Sequence, residues 1–245
     1  ILAGDTLLYP KFKEKNSIKK FDYAIANPPW NQDNYGEENL KTGELWKERF
    51  SFGFATSQSA DWIWIQHMFA SIRDTGKLAV VIDTGSVSRG GKEKLIRQKF
   101  IENDFIEAVI LLPEKLFYNT GAPAVVLVLV KQKEEHKKGK ILLINASKEY
   151  QPGKKQNTLT QQNIDKIVET YRNFKEVEKL SKIITLKDAA DADYNLSPSR
   201  FVFIAEEENY RPIEEIKKEL EELEKERKDV EEKLKSIFKS KIYER

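Results

Sequence analysis

The stretch FDYAIANPPWNQ, residues 21–32, decides the fold. Tyr23-Ala24-Ile25-Ala26 reads as a buried strand, and it stops abruptly at Asn27-Pro28-Pro29-Trp30. Both prolines fix φ and lack an N–H, so regular pairing does not continue through them. In open α/β sheets ligands bind beyond the carboxyl ends of the strands, which is where Asn27 is expected to sit.

Outward from this point, residues 1 to about 145 alternate apolar runs with helical patterns, the signature of an α/β fold with a mostly parallel sheet. Strands are expected at Ile1–Ala3, Tyr23–Ala26, Leu78–Asp83, Ile106–Leu112, Val125–Val130 and Ile141–Ile144. The runs at 106–112 and 125–130 have no helix between them, which predicts an antiparallel pair at one sheet edge. ADWIWIQHMFASIRDTG predicts a helix closed by Gly76, and GGKEKLIRQKFIEN a second one. Between Trp30 and Asp61 runs a long polar segment with Gly36, Gly43 and Gly53, which is expected to be a functional lid.

From Lys148 the chain is polar and mixed, with one helix expected at Thr160–Phe174. At the end, Ile213, Ile216, Leu220, Leu223, Val230, Leu234 and Ile237 follow steps of three, four and seven, a heptad seam interrupted at Arg227. The expected divisions are therefore 1–147, a catalytic α/β portion; 148–212, a polar extension; and 213–245, a coiled-coil-like assembly helix.

The chain has 245 residues, 40% of them hydrophobic, enough for one sizeable core with an appendage. It lacks cysteine, and His67 and His136 are its only histidines, so a thiolate or histidine metal site is excluded. The net charge of +2 is not the footprint of a stand-alone DNA binder. No apolar run reaches membrane-spanning length and no signal peptide opens the chain, so a cytoplasmic protein is expected.

The chemistry of Asn27-Pro28-Pro29-Trp30 is specific. An amide oxygen and a fixed proline carbonyl are uncharged acceptors, and the indole offers a flat face. This set contains no strong base and no nucleophile. It suits an amino group on a flat ring, such as the exocyclic N6 of adenine. Two acceptors can hold both N6 hydrogens and stabilise positive charge as that nitrogen attacks an activated methyl. Trp30 can stack on the base, worth about 1–3 kcal/mol. A duplex hides that amine, so the base has to be flipped out.

At this point the sequence resembles a known family. NPPW after an apolar strand is similar to the Asn-Pro-Pro-aromatic motif of amino-methyltransferases that use S-adenosylmethionine (SAM). SADWIWIQHM, GKLAVVID, LPEKLFYNTGAPAVVLVLVK, INASKEYQPGKKQNTL and DYNLSPSRFV, in that order, resemble the methylation subunit of type I restriction-modification systems. The resemblance implies a Rossmann-like SAM-dependent fold and adenine-N6 methylation of DNA. It assigns Asn27, Pro28, Pro29 and Trp30 to catalysis, and Asp5, Thr6, Leu7 and Asn27 to the cofactor. It also makes Phe117 a second aromatic that clamps the base against Trp30. Trp30 departs from the family's usual Phe or Tyr. Implied partners are DNA, a specificity subunit held through the C-terminal helix, a restriction subunit and a second methylation subunit.

Several residues keep a plainer reading. Asp5 also reads as a turn cap, Phe117 as core and His67 as a packing residue. Arg89-Gly90-Gly91-Lys92 reads equally as a loop-to-helix junction and as a DNA-backbone contact through Arg89 and Lys92. The family's Gly-rich SAM turn is not found before Asp5, so the chain is expected to be the C-terminal part of such a subunit, inactive alone. The other functions weighed are a non-catalytic assembly module and a glutamine methyltransferase.

Overall fold

The computed structural model describes residues 2–204 and 213–242, with side chains described as far as Leu234 apart from Asp229. Ile1 and the side chain of Ile237 lie outside the described residues. The strands are β1 (Lys13–Glu14), β2 (Ser17–Ile18), β3 (Phe21–Ala26), β4 (Ile72–Asp83), β5 (Ile106–Leu111), β6 (Ala124–Val130), β7 (Lys140–Asn145) and β8 (Ser181–Thr185). The helices are α1 (Glu37–Leu40), α2 (Trp46–Arg49), α3 (Asp61–Ala70), α4 (Gly91–Glu102), α5 (Gln161–Arg172), α6 (Leu186–Asp191), α7 (Pro198–Phe201) and α8 (Ile213–Ile242).

Six strands form one sheet in the order β3-β4-β6-β5-β7-β8. β3, β4, β5 and β7 point one way, while β6 and β8 oppose their neighbours. β5 and β6 pair antiparallel as expected, but at the centre of the sheet rather than its edge. The reason is in the sequence of β6, AVVLVLV, which is apolar at every position and so suits a strand covered on both faces.

β3 itself lies at one edge of the sheet. Tyr23 is 78% and Ile25 85% exposed, so this strand is not the buried run its sequence suggested. Only β4 pairs with it, and the face bearing Tyr23 and Ile25 is uncovered. Leu2 and Ala3 form no strand.

α3 ends at Ala70, six residues before Gly76. Ser71 Oγ donates to the His67 carbonyl at 2.8 Å, and Phe21 N donates to the Ser71 carbonyl at 2.9 Å. β3 thus claims the chain from Ile72 onward as strand, overriding the helical spacing. The helix is apolar on nearly all sides because it is covered on nearly all sides. Trp62 is fully buried against Phe100, and Gln66 bonds Phe52 N and the Gly53 carbonyl.

The segment 31–60 is accordingly no bare loop. It holds α1 and α2 and sends Leu40, Phe50, Ala55 and Ala60 into the core. Beyond Lys148, α5 starts on a Thr160 capping box, and β8, which sequence reading did not assign, extends the sheet on β7. Tyr171 donates its hydroxyl to Glu107, and Lys77 meets the same carboxylate at 2.8 Å, tying α5 to β5. Burial and the neighbouring Glu107 hold the Tyr171 phenol protonated well above its ordinary range.

The described residues up to Ile204 form one compact unit, and α8 belongs to a second. Within the second, α8 exposes Ile213, Ile216, Leu220, Leu223, Val230 and Leu234 along its seam. No helix among the described residues is long and apolar enough to cross a membrane.

Candidate active site

Pairing stops where the prolines begin, and Asn27 stands at the carboxyl end of β3 as expected. The chain turns sharply here: Asn31 has a φ of 50°, in the left-handed region that Asn tolerates better than most residues. The Trp30 indole N–H donates to Asn27 Oδ1 at 3.0 Å and to the Val81 carbonyl of β4 at 3.3 Å. The amide oxygen is thereby pinned, and it keeps a second lone pair with which to accept.

Phe117, from the loop between β5 and β6, meets Trp30 with ring centroids 5.1 Å apart and planes at 82°. The two rings touch, so in this structure they make a corner rather than the open slot of a clamp. A flat base fits a corner by lying on one ring against the edge of the other. Asn27, Pro28, Pro29 and Trp30 line one side of the concavity, and Phe117 to Thr120 the other.

The corner is held from behind. Asp61, fully buried at the start of α3, accepts from Asn31 N at 2.9 Å. Its other oxygen takes a hydrogen bond from Arg89. Arg89 also bonds Asp83 at 2.6 Å, Glu93 at 2.7 Å and Ser59 at 3.1 Å. Burial pushes the Asp61 carboxyl up, against the pull of Asn31 N and Arg89. Sequence reading missed Asp61, because an acid at a helix start looks like ordinary dipole compensation.

The other candidate residues divide. Asp5 caps a turn, accepting from Leu7 N and Leu8 N at 3.0 Å each, and its second oxygen accepts from Tyr35 OH at 2.9 Å. Burial and Asp5 push the Tyr35 phenol up, so it remains a donor. Leu7 is fully buried in the core. Thr6 lines an apolar groove with Leu2, Phe12, Tyr23, Ile25 and Ala26, which brings it alongside the strand that delivers Asn27. Lys92 is exposed at the first turn of α4, near enough to Glu37 to help lower that carboxyl after the main effect of Lys41. Arg89 is spent on carboxylates, and its guanidinium is no free hand for a phosphate. No group of acids and histidines with metal-binding geometry occurs among the described residues.

The sheet order and the Asn-Pro-Pro-Trp corner define a Rossmann-like methyltransferase fold. The chain belongs to the N-6 DNA methylase family, whose model matches residues 1–210. Its relatives are type I restriction enzyme methylase subunits. The MjaVIII subunit of Methanocaldococcus jannaschii is 44% identical over 226 residues, 89% of this chain and 39% of that one. The MjaVII subunit of the same organism is 43% identical, over 89% of this chain and 40% of its own. A solved type I methyltransferase subunit from Streptococcus thermophilus superposes with a TM-score of 0.70 at 28% identity, covering 80% of this chain and 41% of that one. The chain thus spans about two-fifths of the length of the curated relatives it matches.

Proposed function

We propose that this chain carries the target-base half of a SAM-dependent adenine-N6 DNA methyltransferase, working as the methylation subunit of a type I restriction-modification assembly. The observation that carries the reading is Asn27 Oδ1, held by the Trp30 N–H at a strand end beside the aromatic corner of Trp30 and Phe117. Asn27 Oδ1 and the Pro28 carbonyl accept from the two N6 hydrogens of a flipped adenine. As N6 forms its bond to carbon, these fixed dipoles stabilise the positive charge that develops on it. Trp30 and Phe117 replace the stacking the base loses on leaving the duplex.

The residues present fit SAM along one wall. The groove of Leu2, Thr6, Phe12, Tyr23, Ile25 and Ala26 is apolar and runs along the uncovered face of β3, which suits a flat adenosine. The Asp5 carboxylate already accepts three hydrogen bonds, so any contact it makes to a ribose uses a remaining lone pair. SAM supplies the electrophilic methyl; this chain orients the nitrogen that accepts it.

The exposed seam of α8 packs on helices of a specificity subunit, and through that subunit the assembly with a restriction subunit and a second methylation subunit is organised. The test is nucleoside analysis of DNA treated with the complete subunit. N6-methyladenine supports the reading, and methylated glutamine in peptide with untouched DNA replaces it.

A further inference from the structure

Arg89 is taken up by Asp61, Asp83 and Glu93, so the strand entering the corner has to be gripped elsewhere. The loop from Leu112 to Pro123 answers this. It is a narrow hairpin: Lys115 N donates to the Gly121 carbonyl at 3.0 Å, and Phe117 bridges Thr120. Tyr118 and Asn119 form the turn at its tip, between the bridged Phe117 and Thr120. Phe117 turns into the corner, and Tyr118, the next residue, is 94% exposed at the tip.

A second hairpin braces the first. Gln151 and Thr158 exchange backbone hydrogen bonds of 2.8 and 3.0 Å. From it, Gln156 Nε2 reaches the Leu116 carbonyl at 2.7 Å, Asn157 N the Lys115 carbonyl at 2.8 Å, and Asn157 Nδ2 the Glu114 carbonyl at 2.9 Å. Lys154 and Lys155 immediately precede this brace. A few residues of chain keep them within about 10 Å of the loop they support. Lys115, Lys154 and Lys155 are exposed and carry no ion pair among the described residues. Glu149 is paired with Lys166 at 2.5 Å, and Glu114 is exposed next to Lys115.

We infer that these braced hairpins form the edge that grips DNA beside the flipped base. Lys115, Lys154 and Lys155 neutralise phosphates flanking the target nucleotide, and Tyr118 stacks on the base next to it. The inference rests on the adenine reading above, and it names residues that reading does not. The chemistry is that of nucleic-acid grooves generally, where cations set position and aromatic faces take up unstacked bases. The rigid brace matters, because a preorganised tip loses little freedom on binding.

The test is fluorescence anisotropy of this chain with a fluorescein-labelled duplex of mixed sequence carrying one adenine–adenine mismatch, where flipping is cheapest. Titrations are repeated across KCl concentrations. Lys154→Glu combined with Lys155→Glu is expected to weaken binding at least tenfold and to flatten the salt dependence by about two phosphate contacts. Tyr118→Ala is expected to weaken binding roughly tenfold with the salt dependence unchanged. All three are surface positions, so the melting transition stays in place. Variants that bind with wild-type affinity and salt dependence overturn the gripping edge and leave the adenine reading standing. Failure of the wild-type chain to bind also overturns the edge, while methylation of adenine is read separately. Tyr118→Ala variants that bind DNA normally yet lose a partner protein assign this tip to protein contact instead.

Discussion

The indole N–H of Trp30 and the side-chain oxygen of Asn27 are hydrogen-bonded at 3.0 Å, so the ring and the amide are coupled. A Phe or Tyr in this place stacks equally well and has no ring N–H to offer.

Trp30→Phe therefore separates the two roles. Losing one neutral hydrogen bond is worth about 1 kcal/mol, so methyl transfer by the complete subunit falls roughly fivefold while DNA affinity holds. Trp30→Ala loses the stacking surface as well and weakens DNA binding. Single-turnover transfer and equilibrium binding on both variants check this. Equal transfer rates in wild type and Trp30→Phe count against a pinned amide.

Asp61→Ala removes the buried acceptor that joins Asn31 N to Arg89. Arg89 keeps Asp83 and Glu93, so the loss is that of charged hydrogen bonds and an orphaned Asn31 N–H, about 2–3 kcal/mol of folding stability. Asp61→Asn keeps an acceptor for Asn31 N and costs less. Urea unfolding of both measures the difference. Wild-type midpoints would mean that the corner is not held from behind.

His67 is part-buried beside Arg49, with its Nδ1 3.4 Å from the guanidinium. Burial, then the charge of Arg49, pulls its pKa from 6.5 down to about 4. Below pH 6.5 the unfolded chain binds a proton that the folded chain refuses until about pH 4. Stability is therefore full above pH 6.5 and declines as pH falls toward 4, by about 1–2 kcal/mol between pH 7 and 5. His67→Gln flattens that part of the profile, and an unchanged slope in the variant removes His67 from the explanation.

Leu223 is 58% exposed in the middle of the α8 seam. If the seam packs on a specificity subunit as proposed, Leu223→Lys is expected to leave the melting of the α/β unit unchanged and to abolish co-purification with that subunit. Retained assembly would move the interface elsewhere.

Much of this molecule was readable in advance because its signals were local. Asn-Pro-Pro ends a strand wherever it occurs, and the Thr160 capping box sits within a residue of the expected helix start. What escaped depended on partners distant in sequence. β3 reads as buried because Tyr23 and Ile25 are apolar; only the sheet order reveals that it is an edge. The end of α3 is set by pairing with Phe21, some fifty residues earlier, and β8 exists because β7 offers it an edge. At the site, the place of Asn27 just beyond the end of β3 was legible, whereas the edge-to-face contact of Trp30 and Phe117 was not. The network that occupies Arg89 includes Glu93 at helical i,i+4 spacing, but its link to the buried Asp61, 28 residues earlier, is one that no spacing rule connects.

The most direct test of the central claim is Asn27→Ala in the complete methylation subunit, assayed for N6-methyladenine in DNA alongside thermal unfolding. Methylation is expected to be lost and the unfolding transition retained, because Asn27 is exposed at a strand end. Normal methylation by a folded Asn27→Ala variant would contradict the claim.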